Sequence, residues 1–133
     1  MAAGINILVN DGGAPARIMK VGNAAADLDA GTVVGLNAAG AVIAIDVSLP
    51  ANIEAIGVLF VDATSGDPAS VLTGSGIMCF LKTSGAAIAR GDALSHDASG
   101  LAKTAVIADD ECFAVALEAK SATHTGFVKA ILR

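Results

Sequence analysis

The chain has 133 residues, 54% of them hydrophobic but only 3% aromatic and all of those Phe, so one domain is expected whose core is filled by Ala, Val, Ile and Leu. Eight Lys and Arg against 13 Asp and Glu leave a net charge of -5, and the cations are scattered, which argues against a nucleic-acid groove and against an anionic membrane face. Burial stabilises by roughly 25 cal/mol per Å² of apolar area, so an Ala-rich core gains less than an aromatic one, and contacts between subunits are expected to supply part of the stability.

The first element in the chain is a short β-prone run in which Ile5, Ile7 and Val9 alternate with Asn6 and Leu8. Gly12, Gly13 and Pro15 separate it from the rest of the chain, because glycine frees the connection and proline cannot donate to a strand ladder. The division expected is therefore an N-terminal arm at residues 1–15 and a single β-barrel-like domain at residues 16–133. No basic stretch with an apolar core follows Met1, so no secretion signal is expected.

Short apolar runs between Gly, Asn, Asp and Ser clusters predict further strands at residues 17–21, 32–36, 41–47, 56–61, 76–82, 92–95, 101–106, 112–119 and 126–132. Residues 30–45 are uncharged, but Gly31, Gly35, Asn37 and Gly40 interrupt them, and the run falls short of the roughly 20 residues that span a membrane as a helix. Two short helices compete with this pattern. Pro50 suits a first-turn position for residues 49–55, and Asp67 a cap for residues 68–73. In the run at 76–82 both faces are apolar: Ile77, Cys79 and Leu81 oppose Met78, Phe80 and Lys82. A strand of that kind lies between two layers or is covered by another subunit.

An internal echo organises the chain. Leu28, Gly31, Val33, Val34 and Gly40 are matched, 60 residues on, by Ile88, Gly91, Ala93, Leu94 and Gly100. Each copy reads as an apolar residue, two spacers, a glycine, a strand, a turn closed by a second glycine, and another strand. Gly31 and Gly91 permit an unusual backbone angle before the strand, and Gly40 and Gly100 close the turn. A further strand pair is expected after each copy, residues 56–60 with 77–81 and residues 113–117 with 127–132. The fold expected is all-β, a small barrel built from two related halves packed on each other, which would close the sheet, with at most one or two short helices.

The residues offer no reaction site. Ser95, His96 and Asp97 are adjacent in sequence, but neighbouring strand side chains point to opposite faces, so His96 is expected as a turn residue, and His124 likewise. Asp109, Asp110 and Glu111 lack the alternating oxygen ligands of a calcium loop. Cys79 and Cys112 sit in apolar runs, as reduced core residues or as a bridge between paired strands. No metal, cofactor or catalytic residue is expected.

On the spacing of residues 28–40, the phrase Gly91-Asp92-Ala93-Leu94, Gly100 and the closing strands at 113–117 and 127–132, the chain resembles small tailed-phage capsid decoration, or cement, proteins. The resemblance covers about residues 17–133. Residues 61–74 and the segment before Gly13 depart from it, the former looking like an insertion. It implies a β-barrel-like or β-tulip domain in a non-enzymatic virion protein, made in the host cytoplasm, that assembles as a homotrimer on the outer surface of an icosahedral head and stabilises contacts between major capsid subunits. Contact residues are then expected at Ile5, Ile7, Val9, Met78 and Phe80. Gly91-Asp92-Ala93-Leu94 also looks like the turn phrase of biotinyl or lipoyl carrier domains, but the hairpin tip at Asp97 to Gly100 carries no lysine, and Lys103 lies beyond it. The third reading is a small ligand-binding β module, which would expect exposed Trp or Tyr, and the chain has neither.

Overall fold

A computed structural model describes residues 17–45, 55–97, 99–106, 112–122 and 126–133. The described residues form ten strands and no helix: β1 (Arg17–Asn23), β2 (Val33–Leu36), β3 (Val42–Ala44), β4 (Gly57–Leu59), β5 (Pro68–Thr73), β6 (Met78–Thr83), β7 (Ala93–His96), β8 (Ala102–Thr104), β9 (Ala114–Ala116) and β10 (Gly126–Leu132). The first five make one sheet in the order β1-β5-β4-β2-β3, and the last five a closed barrel in the order β10-β6-β8-β7-β9. Taken from β6, the barrel runs β6-β10-β9-β7-β8, which is the order of the first sheet with every strand five places later in the chain. The closures correspond as well. β6 meets β8 in parallel at Thr83 and Ala102, and the ends of the first sheet meet in parallel at Ala24 and Val42. The molecule is thus all-β, from two halves of the same topology.

The local chemistry of the echo explains why both copies fold alike. Gly31 and Gly91 have φ of 89° and 88°, and their N–H groups donate to the carbonyls of Leu59 and Ala116, each at 2.8 Å. In the turn after each strand, the Asn37 Oδ1 accepts from the Ala39 and Ala41 N–H groups, and the Asp97 Oδ1 from those of Ser99 and Leu101. Asn and Asp present the same oxygen at the same place, so either residue caps its own turn.

Each half fills its interior with small aliphatic side chains. Leu28, Val34, Val42, Leu59 and Val71 centre the first core; Ile77, Cys79, Leu81, Leu94 and Val128 centre the second. Val58 and Leu72 belong to the first sheet, yet they pack in the second cluster, which makes the boundary between the halves a continuation of the core. At this joint the Lys82 N–H donates to the Gly31 carbonyl and the Val33 N–H to the Gly100 carbonyl, each at 2.9 Å. Lys82 Nζ also pairs with the Asp29 carboxylate. The backbones approach so closely that a Cβ on Gly100 would lie 2.6 Å from the Val33 oxygen, and one on Gly31 would lie 2.9 Å from the Lys82 nitrogen.

Three expectations about the architecture are corrected. Residues 68–73 are not a helix but β5, which supplies the partner that both β1 and β4 need; β-branched Val71 and Thr73 suit a pleated surface, and the pairing overrides the cap-like Asp67. Residues 56–60 accordingly pair with β5 and not with 77–81, which open the second half as β6 and pair with β10 and β8. Residues 61–74, which looked like an insertion, include β5 and are integral to the first sheet. The expected strand at 5–9 and the expected helix at 49–55 lie outside the described residues.

Candidate interaction surface

Alternation in β6 sorts the two-faced strand. Cys79, Leu81 and Thr83 are buried, whereas Met78, Phe80 and Lys82 on the opposite face are half-buried. Met78 lies opposite Ile131 on β10, and Phe80 opposite Lys129. Continuing across the barrel, Ile131 lies opposite Val115 on β9, and Val115 opposite Ala93 on β7. Directly opposed residues share a face of the sheet, so Met78, Ile131, Val115 and Ala93 form one apolar row over four strands, all half-buried.

The first sheet has the same row. Ile18 lies opposite Leu72, Leu72 opposite Val58, and Val58 opposite Val33. There Leu72 and Val33 are 0% exposed and Val58 1%, while Ile18 is 48% exposed. The difference is the covering: the joint brings the C-terminal half against the row of the N-terminal half.

Of the residues singled out from the sequence as contacts, Ile5, Ile7 and Val9 lie outside the described residues. Met78 and Phe80 share the outward face of β6. The four glycines occupy equivalent places in the two halves but different surroundings. Gly31 and Gly100 are buried in the joint, whereas Gly40 and Gly91 are exposed, with nothing within 4 Å of where a Cβ would stand. Sequence reasoning passed over Ile18, Met19 and Val106, which are 48, 47 and 59% exposed. For the first two a signal was present: Arg17 and Lys20 bracket an apolar pair, a pattern that does not alternate and so cannot bury one whole face.

The chemistry of the remaining groups is quiet. Cys79 and Cys112 are both free thiols, and burial pushes the Cys79 thiol up to about 12, far from the thiolate a nucleophile requires. The His96 Nδ1 lies 3.1 Å from the Asp97 carbonyl within its own turn. His124 and the carboxylates Asp109, Asp110 and Glu111 lie outside the described residues. Among the described residues no group of three His, Cys, Asp or Glu side chains is placed to hold a metal ion. A cleft of about 260 Å³ opens between the halves, lined by Val33, Ile56 and Val58 on one side and Phe113, Leu132 and Arg133 on the other. Lys103 lies on β8 opposite Ser95, away from the hairpin tip.

The sequence model of one family, described as phage cement protein, matches residues 13–132. That span takes in every strand of both halves. No curated protein matches the chain.

Proposed function

Because the chain belongs to the phage cement protein family, we propose that it binds the outer surface of an icosahedral phage head as a non-enzymatic homotrimer and stabilises contacts between major capsid subunits. The observation that carries this reading is the reach of the family match, which takes in both halves and the joint between them. The surface supports it in kind: apolar side chains stand outward in rows and pairs, and the Asn37 and Asp97 side chains are occupied within their own turns.

Two places are proposed as capsid contacts. One is the outward face of β6, through Met78 and Phe80. The other is the segment with Ile5, Ile7 and Val9, which would add as a strand to an exposed sheet edge of a capsid subunit, satisfying its amides and burying its apolar face. Purified protein mixed with heads that lack it should co-sediment with them and raise the temperature at which they release DNA. Deletion of residues 1–12 should weaken co-sedimentation while leaving the β-type circular dichroism intact. Wild-type protein that stays in the supernatant would contradict the capsid reading. Truncated protein that binds as well as wild type would contradict the strand-addition mode alone.

A further inference from the structure

The two halves are alike in topology but unlike in what covers them. On the N-terminal half, the face made by Gly31, Val33, Val58 and Leu72 is buried by the C-terminal half. The corresponding face on the C-terminal half, made by Gly91, Ala93, Val115 and Ile131, is exposed or half-buried. The side that does the covering is unequal too. Lys82 and Gly100 of the C-terminal half meet the N-terminal half, while their counterparts Asn23 and Gly40 stand exposed. Among the described residues there are therefore one completed joint, one receiving face left uncovered and one covering edge left unused.

We propose that a second copy of this chain completes the pattern head to tail: the Asn23 and Gly40 edge of one copy covers the Gly91, Ala93, Val115 and Ile131 face of the next, reproducing between chains the joint that each chain already contains. This deepens the reading above, resting on it for the homo-oligomer, and it states which surfaces meet. The kind of partner is set by the residues. The receiving face is aliphatic and without charge, and the joint it copies seals Val33, Val58 and Leu72 from water. Two backbone bonds are expected in each new joint, from the Ala93 N–H to the Gly40 carbonyl and from the Asn23 N–H to the Gly91 carbonyl, where the internal joint has Val33 to Gly100 and Lys82 to Gly31. The ion pair between Lys82 and Asp29 has no analogue, because the equivalent positions hold Asn23 and Ala89. Contacts between chains are thereby weaker than the joint within the chain, as suits a unit that assembles from folded subunits. A heterologous contact of this kind generates a closed ring or an open fibre. Three copies closing a ring would set six equivalent halves about a threefold axis.

Asn23 and Ala89 are both exposed, and in the internal joint their counterparts Lys82 and Asp29 touch, so Asn23→Cys and Ala89→Cys place thiols on the two sides of the proposed contact. Cys112→Ser removes the half-buried native thiol, and Cys79 stays buried and protonated. A short bifunctional maleimide should cross-link a mixture of the two single variants into a covalent dimer of one with the other, and should leave each variant alone uncross-linked. The double variant should give a ladder that ends at three chains. Cross-linking of either single variant with itself would mean a twofold contact and would overturn the proposal, as would a mixture that yields no dimer at high concentration. A ladder that runs past three chains would overturn the ring. The readout is taken without capsids, so its failure is separable from failure to bind heads.

Discussion

Gly100 and Gly40 occupy the same place in two copies of one turn, with φ of 73° and 82°, and differ only in what faces them. An alanine at either position pays the left-handed backbone cost of about 1–2 kcal/mol. At Gly100 its methyl would also meet the Val33 oxygen at 2.6 Å and the Thr32 Cγ2 at 2.9 Å, a crowding worth about 1–3 kcal/mol more. Denaturant titration should therefore find Gly100→Ala distinctly less stable than Gly40→Ala. Equal losses would mean that the joint yields without strain. Cys79 supplies a second test at this scale. Its pKa is raised by burial from 9.0 in the unfolded chain to about 12, so above pH 9 the unfolded state releases a proton that the folded state keeps. The contribution is complete below pH 9 and is lost as pH rises towards 12, at most about 1.4 kcal/mol for each pH unit. Cys79→Ala should flatten the stability profile over that window relative to wild type, while the two profiles run parallel below it.

Among the elements, β2 with β3 and β7 with β8 were legible in the sequence because their determinants are local: a glycine before the strand, an Asn or Asp that caps its own turn, and a glycine that closes it. The strand β5 was not. Pro68 and Asp67 carry a helix-start signal, and what decides against it is the open place between β1 and β4, a long-range fact that no window of residues displays. The same blindness gave β6 to the wrong half, because nothing in residues 78–83 names β10 as partner. Leu72 shows what β5 contributes. It is fully buried in the cluster that reaches across both halves, so Leu72→Ala should cost about 2–5 kcal/mol, read as a lower denaturation midpoint. A loss below about 1 kcal/mol would mean that the joint is not part of the core. That Met78 and Phe80 share one face of β6 was legible from strand alternation, while the row that joins Met78 to Ile131 and Val115 became visible only with the strand order.

At the scale of the whole molecule, both halves build aliphatic cores on the same strand order. One pattern of glycines and small aliphatic side chains is used twice, and at Gly31 and Gly100 the backbones of the two copies meet with no room for a side chain. The spacing of 60 residues between Gly31 and Gly91, and between Gly40 and Gly100, made the duplication visible in the sequence. What it did not show is that the C-terminal half closes on itself as a barrel and that the joint buries the face of one half and not its equivalent on the other. The central claim is that this phage cement protein works from outside the head, across the boundaries between capsid subunits. A cryo-electron-microscopy reconstruction of heads decorated with the purified protein, compared with undecorated heads, tests that most directly. The account predicts added density on the outer surface, touching at least two neighbouring major capsid subunits, into which both halves of the chain fit. Density confined to the interior, or resting on a single capsid subunit without reaching its neighbour, would contradict it.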